Sequence, residues 1–487
     1  MSVPVPVPVP SPDPRRWWAL AVLSLTQLVV VLDATIVNVA LPRAQEDLGM
    51  SDAQRQWVVT AYVLAFGALL LLGGRVADYW GRKRGYAVGM IGFGVASAWG
   101  GLAHSGTELI VARGLQGVFA ALLAPAALAL LTVTFPSGRE RGTAFAVFGT
   151  VAGTGAAVGL ALGGVLTQFA GWRWCLLVNI VFAVVGLVGA LVFVSESKAE
   201  GDNRYDVAGA VTVTLGLGSL VYGFTLAEGG WSDAGTVAFL ALGVVLLALF
   251  AWVESRVAQP LLPLRVVRDR VRAGALLVQA AVGAVFIGMT LYLALHLQLV
   301  LRLSPLPAGL AALGMTLATT ATAPVAARLF ARFGARVLMT AGPLVAAAGV
   351  LYLTRVTPDG GYWDEVLPGL LVIGVGIAST IVPLQNVALT GVAPHDAGAA
   401  SALVNSVMQI GGCIALSVFT TIYAAKTQDV AGAGGSPLLA LTEGHAAVFL
   451  ATAVLLVLAA LVAATTLRGH RAPPHRAARD ERLTHTG

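Results

Sequence analysis

Long apolar stretches alternate with short polar segments along almost the whole chain. At about 1.5 Å per residue, roughly 20 helical residues cross a bilayer core of about 30 Å. Apolar stretches of that length predict fourteen membrane-spanning helices, and an even number places both chain ends on one side. The predicted spans cover residues 17–41, 56–74, 85–103, 107–134, 141–168, 174–194, 206–227, 235–254, 272–297, 307–331, 336–354, 366–391, 398–425 and 444–467.

The composition supports an all-α polytopic membrane protein. Of the 487 residues, 57% are hydrophobic and only 11% charged, against roughly 25% charged in soluble domains. The net charge of +6 comes from basic residues between the spans, so it indicates topology rather than nucleic-acid binding. Most Lys and Arg residues fall on the side that holds both chain ends. We therefore predict a multi-pass protein of the cytoplasmic membrane, embedded in the lipid bilayer, with both termini cytoplasmic.

A weak internal repeat divides the chain into domains. GRVADYWGRK at residues 74–83 follows the second span, and ARLFARFGAR at residues 327–336 follows the tenth. Repeated halves with a substrate site between them are a common transporter plan. The predicted domains are a disordered Pro/Val tail at 1–14, a six-helix bundle at 15–195, a linker with spans seven and eight at 196–271, a second six-helix bundle at 272–467, and a basic cytoplasmic tail at 468–487.

The first predicted span carries an acid, Asp33, within the sequence LDATIVNVALP. A charged Asp at the centre of a membrane helix costs about 2.5–3.5 kcal/mol on insertion scales, so a retained acid usually faces a wet cavity or a partner. The low dielectric disfavours the charged form, which predicts reversible proton binding at Asp33. The alternative is a structural acid held in fixed hydrogen bonds.

Several motifs, in order, resemble the major facilitator superfamily and within it the fourteen-helix drug:proton antiporters. They are LDATIVNVALP (32–42), the second helix with its loop (56–84), LIVARGLQGVFAA (109–121), GTGAAVGLALGG (153–164) and GWRWCLLVNI (171–180). The resemblance implies the fold of two six-helix bundles with two inserted helices, and it places the proton-coupling aspartate on Asp33. It places the fourth-helix arginine on Arg113 and its glutamine on Gln116. Arg113 would stabilise ionised Asp33 in one conformation and release it in another, or it could simply extend to the lipid headgroups.

The loop after the second helix resembles the family's cytoplasmic gate. The gate residues implied are Gly74, Asp78, Gly81, Arg82 and Lys83. In the family this loop ties neighbouring helices through ion pairs and helix ends, where a carboxylate interacts favourably with a helix N-terminus. The alternative is a set of topology anchors and a helix cap.

Glycines in the fifth span recur at four-residue spacing. Gly155, Gly159 and Gly163, with Gly164 beside the last, form a smooth stripe suited to close helix packing. The resemblance adds a sealing role against proton leak. Leu160 stands where the family usually has proline, which leaves the bending of this helix open.

Polar residues on the central spans are candidates for a substrate cavity, although each could instead form an interhelical hydrogen bond. His296 and Tyr292 lie near the outer end of the ninth span, where we expect them in the interfacial belt. The candidate cavity residues are Asn38, Tyr62, Gln116, Gln298, Gln385, Asn386, Asn405 and Gln409.

No catalytic constellation emerges from the sequence. The seven histidines are scattered, no His/Cys/carboxylate cluster has metal-ligand spacing, and no phosphate-binding loop precedes a helix. We predict a monomeric proton-coupled antiporter that is not an enzyme, uses the proton gradient and no cofactor, and exports small amphipathic drug-like compounds, cationic or neutral. Alternatives are an exporter of an endogenous metabolite or lipid by the same cycle, and a transport-inactive sensor of the same fold.

Overall fold

The computed structural model describes residues 15–135, 138–198, 206–227, 230–257, 260, 269–389 and 397–467, and these residues form helices without a strand. The predicted tails at 1–14 and 468–487 lie outside the described residues, as do parts of the predicted linker. The helices of the first half are α1 Arg16–Leu48, α2 Asp52–Trp80, α3 Arg82–Gly101, α4 Gly106–Thr134, α5 Gly138–Phe169 and α6 Trp174–Phe193.

Two helices follow and lead into the second half. They are α7 Val207–Leu226 and α8 Ala234–Glu254. Within α9, the stretches Ala284–Met289 and His296–Val300 are π-helical. The helices of the second half are α9 Arg270–Val300, α10 Pro305–Leu353, α11 Leu367–Leu389, α12 Ala397–Gly432 and α13 Pro437–Thr466.

The predicted all-helical fold with many membrane-length helices is confirmed, whereas the number of fourteen stays a prediction. Eleven helices in the described part of the chain are long and apolar enough to cross a membrane, judged by length and composition, and Ala208–Phe224 is a shorter apolar helix. The 49-residue α10 contains a left-handed residue, Gly334, with φ 79° and ψ 173°. Gly334 is the residue that the repeat aligns with Gly81, which itself has φ 129° at the junction of α2 and α3. Glycine reaches such angles without steric cost, so both repeats turn at a glycine.

Local sequence fixes the turn between α1 and α2. Gly49 ends α1 in the left-handed conformation, with φ 59°. Ser51 then begins α2 with a capping box, in which its hydroxyl accepts from the backbone N–H of Gln54 and the Gln54 side chain accepts from the Ser51 N–H. This pairing satisfies backbone donors that a helix start leaves free. The chain therefore passes from α1 to α2 through a short turn at residues 49–51.

The helices pack as two halves bridged by α7. In the first half α1 packs on α5 and α6, and α4 packs on α2 and α3; in the second half α10 packs on α11 and α13, and α9 on α12. Helix α7 pairs with α8 and also contacts α2 of the first half and α12 of the second. We call the end of the bundle at Arg16 and Thr466 the terminal end, and the end at Leu48 and Pro437 the loop end.

The two halves meet closely at the loop end. Gln56 of α2 donates to the hydroxyl of Ser417 of α12 at 2.9 Å, and both side chains are buried. Gln298 of α9 donates to the backbone carbonyl of Val39 of α1 at 3.2 Å. These contacts join the halves by direct hydrogen bonds, so the loop end is closed.

Helix α5 touches α10 near the loop end and has open space beside two of its glycines toward the terminal end. Near the loop end, a Cβ on Gly164 would lie 2.7 Å from Leu306 of α10, so the two helices touch there. The backbone of Leu160 also lies against α10. Gly149 and Gly142 lie 11 and 18 residues before Leu160, about three and five helical turns away, so they lie near the same face of α5. A Cβ on either glycine would meet nothing within 4 Å. The face of α5 that contacts α10 at the loop end thus borders open space at the terminal end.

Candidate functional site

Asp33 lies in the interior of the first half, between α1, α4 and α6. Its side chain is 0% exposed, and that of Arg113 on α4 is 1% exposed. The apolar sequence on both sides of Asp33 keeps α1 continuous through this region. The structure therefore encloses an acid in an apolar bundle, where it must have polar partners.

Three side chains donate hydrogen bonds to the Asp33 carboxylate. Arg113 Nη1 donates to Oδ2 at 2.6 Å, Asn179 Nδ2 of α6 donates to Oδ1 at 2.7 Å, and Gln116 Nε2 approaches Oδ1 at 3.3 Å. An ionised carboxylate only accepts, whereas a protonated one must also donate. A set made of donors, one of them a guanidinium, matches the ionised form of Asp33.

Arg113 is held in place on several sides. Its Nε donates to the carbonyl of Val58 at 3.3 Å, and Nη1 also donates to Gln116 Oε1 at 2.9 Å. The guanidinium carbon lies 4.3 Å from the ring centroid of Tyr62, a cation–π distance. The alternative that Arg113 extends to the lipid headgroups is wrong for this conformation, because its side chain turns inward to Asp33.

Gln116 links the acid to a further helix. Its Nε2 also lies 2.5 Å from the hydroxyl of Ser97 on α3. On the other side of the acid, Asn179 Oδ1 has no hydrogen-bond partner among the described residues. Asn179 therefore contributes a donor to the carboxylate of Asp33.

The glycine stripe on α5 lets α1 approach closely around Asp33. A Cβ on Gly159 would lie 2.8 Å from the carbonyl of Leu32, and one on Gly163 would lie 2.9 Å from the carbonyl of Ile36. A Cβ on Gly155 would lie 3.1 Å from the side chain of Val31. Three of the four predicted glycines thus face α1 on both sides of the acid, and Gly164 faces α10. This geometry matches the packing interpretation of the stripe.

The predicted gate loop forms contacts within the first half. Asp78 accepts from Arg82 Nε at 2.7 Å across the turn at Gly81, and Gly74 packs near Pro125 of α4. Lys83 Nζ donates to the carbonyl of Leu191 at 3.0 Å, at the end of α6. In this conformation the gate residues thus connect α2, α3, α4 and α6.

An acid outside the predicted gate occupies the start of α3. Glu196 accepts from the backbone N–H groups of Lys83 at 3.0 Å and Arg84 at 3.2 Å. A carboxylate at a helix N-terminus satisfies free donors and interacts favourably with the helix dipole. The predicted contact of a carboxylate with a helix end thus occurs at Glu196, while Asp78 pairs with Arg82.

The candidate cavity residues fall into three groups. Tyr62 and Gln116 belong to the Asp33 cluster, and Asn38 is buried on α1 with no partner for its Oδ1 among the described residues. Gln298 and Gln409 lie where the halves meet, Gln298 against Val39 and Gln409 against Gly67. The exposed members are Gln385, Asn386 and Asn405.

The prediction that His296 and Tyr292 lie in the interfacial belt is wrong. Both side chains are buried, at 0% and 1% exposure, in the interior of the second half. Their position near the end of a span indicated their depth but not the direction in which they point.

Sequence reasoning did not select Asn179, Ser97 and Glu196 as site residues. An Asn within an apolar span is the signal that singled out Asn38, and it applies equally to Asn179. Ser97 is too common a residue type in membrane helices to stand out. Glu196 is the first acid after the sixth span, and its position beyond the helix end hid its role as a cap.

A bundle of many apolar helices in two halves, with an ion pair buried in one of them, is the construction of a polytopic membrane transporter. Residues 23–416 match the Major Facilitator Superfamily, so the chain belongs to that family. This membership confirms the prediction of a transporter that acts on small molecules, and of a protein that is not an enzyme.

The relatives include exporters and resistance proteins of bacteria. The chain is 46% identical over 456 residues to the puromycin resistance protein pur8 of Streptomyces alboniger, covering 92% of this chain and 91% of that protein. It is 38% identical to the cephamycin export protein CmcT of Amycolatopsis lactamdurans, covering 86% of each chain. It is 33% identical to the tetracenomycin C resistance and export protein of Streptomyces glaucescens, covering 85% of this chain and 77% of that protein.

The fold is also similar to solved transporters. A bacterial homologue of the human lysosomal transporter Spinster superposes with a TM-score of 0.68 at 18% identity, covering 95% of this chain and 100% of the other. The nucleoside transporter NupG gives a TM-score of 0.63 at 13% identity, covering 93% of this chain and 100% of the other. At these identities the similarity establishes the fold.

Proposed function

We propose that this protein is a proton-coupled antiporter that exports amphipathic drug-like compounds, cationic or neutral, across the cytoplasmic membrane. Its energy source is the proton gradient, without a cofactor, and it works as a monomer. The observation that carries the proposal is the buried carboxylate of Asp33, which accepts hydrogen bonds from Arg113, Asn179 and Gln116.

Protonation of Asp33 would change the partners that stabilise this arrangement. The new O–H would need an acceptor, and Arg113 would lose its counterion in a dry interior. Leaving a buried charge unpaired costs about 3–5 kcal/mol, so the protonated protein favours a different packing of α1 and α4. A ligand shifts the equilibrium between the inward-facing and outward-facing states by the difference in its affinity for the two states. If the proton and the substrate favour opposite states, the protein exchanges one for the other across the membrane.

The distribution of basic residues supports an orientation. With the terminal end in the cytoplasm, the basic segments at 75–84 and 328–336 are cytoplasmic, as the positive-inside tendency favours. Dividing α10 at Gly334, and counting α3 and α7, gives fourteen spans with both termini cytoplasmic. In this orientation the closed loop end faces the exterior, and the open space beside Gly142 and Gly149 faces the cytoplasm.

The cargo class is supported by the relatives and by the second half of the chain. Relatives are named for resistance to or export of puromycin, cephamycin and tetracenomycin C. Within the described residues of α9 to α13, the acids lie near helix ends: Asp364, Glu365, Asp429 and Glu443. A second carboxylate at depth would favour dications, so this distribution favours neutral compounds and monocations.

Transport by purified protein in liposomes tests the proposal. Puromycin, the compound named for one relative, and the amphipathic cation ethidium serve as probes, with a pH gradient imposed across the membrane. We expect gradient-driven accumulation of at least one probe, lost in Asp33→Asn and retained in Glu46→Gln. Glu46 is the matched control, because it is an exposed acid on the same helix.

Two results would contradict the proposal. Gradient-driven accumulation that is equal in Asp33→Asn and in the unmodified protein would remove Asp33 from the coupling mechanism. Absence of transport of both probes, with correctly folded protein, would reject drug-like cargo and favour the endogenous-metabolite or sensor alternatives.

A further inference from the structure

A cluster of rings is buried near the loop end of the second half. At its centre, His296 of α9 and His445 of α13 are both 0% exposed, with ring centroids 5.5 Å apart in an edge-to-face arrangement. Tyr423 of α12 stacks on His445 at 5.4 Å, and Tyr292 of α9 lies 6.2 Å from the same ring. Three helices thus enclose two imidazoles that lie in the other half of the protein from Asp33.

The two imidazoles have no hydrogen-bond partners among the described residues. All four ring nitrogens of His296 and His445 are buried and unpaired, although a neutral imidazole carries one donor and one acceptor. The adjacent hydroxyl of Tyr292, by contrast, donates to Thr420 at 2.8 Å. Buried polar groups are nearly always paired, so two unpaired imidazoles side by side indicate a site that is completed in another state.

The backbone connects this cluster to the contact between the halves. His296 begins the π-helical turn His296–Val300, and π-helical turns are frequent at functional sites. The same turn carries Gln298, which donates to Val39 of the first half. A change in the position of His296 therefore acts directly on a contact that closes the loop end.

A buried cation of the first half also lies at the loop end, near the start of α2. Arg55 of α2 is 4% exposed; its Nη1 donates to Asp52 at 2.8 Å and to Gln45 at 2.7 Å. Other ionisable groups on the surrounding elements include Tyr292, Tyr423, the exposed pair Lys426–Glu443 at the ends of α12 and α13, the exposed Asp429 of α12, and the exposed pair Arg43–Glu46 on α1, while residues 305–315 of α10 carry none.

We propose that His296 and His445 form a second proton-binding site, which takes up a proton when the loop end opens. In the closed state the surrounding rings exclude water, so a charged imidazolium would lack solvation there. Movement of α2 away from α12 would break the Gln56–Ser417 hydrogen bond and admit water to the cluster, which makes protonation favourable. By linkage, protonation then favours the open loop end.

The site is proton-binding rather than metal-binding. The described residues include no group of three or more His, Cys, Asp and Glu side chains that could hold a metal ion. The existence of the site does not depend on the proposed function. With the loop end facing outward, as in the proposed orientation, the pair would take up its proton from the exterior.

Distances across the loop end, measured by pulsed electron paramagnetic resonance, test the proposal. Spin labels are placed at Ala170→Cys and Ala433→Cys, which are exposed positions in loop-end turns of the first and second halves. The native Cys175 and Cys413 are buried, so labels go to the introduced sites. All measurements use an Asp33→Asn background, which removes the protonation of Asp33 from the response.

We expect the long-distance population to rise about threefold or more between pH 7.5 and pH 5.5, the range in which histidine ordinarily titrates. The response should be lost in His296→Gln/His445→Gln and retained in Tyr423→Phe, which removes a hydroxyl from the same cluster but no imidazole. If the double variant fails to fold, each single variant is compared and should show a reduced response.

Three results would overturn the proposal. One is an unchanged pH response in the folded double variant, or in both single variants. Another is a distance distribution that does not change with pH in the background protein. The third is a shift produced at constant pH by micromolar Zn²⁺ and lost in the histidine variants, without a pH response, which would assign the pair to metal binding.

Discussion

Asn179 provides the sharpest test of how the protein holds Asp33 in its ionised form. Its Nδ2 donates to Asp33 Oδ1 at 2.7 Å within the buried cluster. A hydrogen bond to a charged group contributes about 1.5–3 kcal/mol. Asn179→Leu has a similar shape and removes this donor, so it destabilises ionised Asp33 relative to the protonated form by that amount.

The free-energy change converts directly into a proton concentration. Since about 1.4 kcal/mol is a tenfold change in an equilibrium constant, we expect the proton concentration for half-maximal transport to fall by about tenfold or more in Asn179→Leu. The assay is the initial rate of substrate uptake by proteoliposomes as a function of pH. Ser97→Ala is the control, because Ser97 contacts Gln116 and should shift the profile less.

The reasoning would be refuted by an Asn179→Leu profile that coincides with that of the unmodified protein, or that moves toward higher proton concentration. Thermal unfolding of the purified variant, measured in parallel, separates a change in proton binding from a loss of folded protein.

Three further predictions concern stability. Arg113→Gln leaves a buried carboxylate without its cation and should destabilise the fold by about 3–5 kcal/mol. Asp33→Asn in the same chain should largely reverse this loss in thermal unfolding. Equal melting temperatures of the single and double variants would contradict the pairing. Gly159→Val should destabilise the protein by about 1–3 kcal/mol because α1 lies against this position, whereas Gly149→Ala should melt like the unmodified protein. Glu196→Ala should cost about 0.5–2 kcal/mol through loss of the cap on α3, and the absence of any decrease in melting temperature would show that the cap is dispensable.

The fold was largely predictable because span length and glycine positions are local properties of the chain. Apolar runs of membrane length gave the helices, and the interruption expected between residues 331 and 336 occurs at Gly334. The number of predicted spans does not equal the number of helices, since α10 continues through Gly334 without a loop. Burial of Asp33 followed from the cost of an acid in apolar surroundings.

The partners of Asp33 depended on information that a single helix does not contain. The rotation of α6, which brings Asn179 and not another residue to the carboxylate, is set by packing on α1 and α3. Depth misled the interpretation of His296, and for Arg113 it left the headgroup alternative open beside the predicted pairing with Asp33. Both lie toward a helix end, and both point inward because neighbouring helices provide a counterion or a ring cluster there.

The most direct test of the central claim is substrate-induced proton release by the purified protein in weakly buffered detergent solution, followed with a pH indicator. If protonated Asp33 and bound substrate exclude each other, addition of a transported compound releases protons from the unmodified protein and none from Asp33→Asn. Equal release from both proteins, or substrate binding without release from either, would contradict the account.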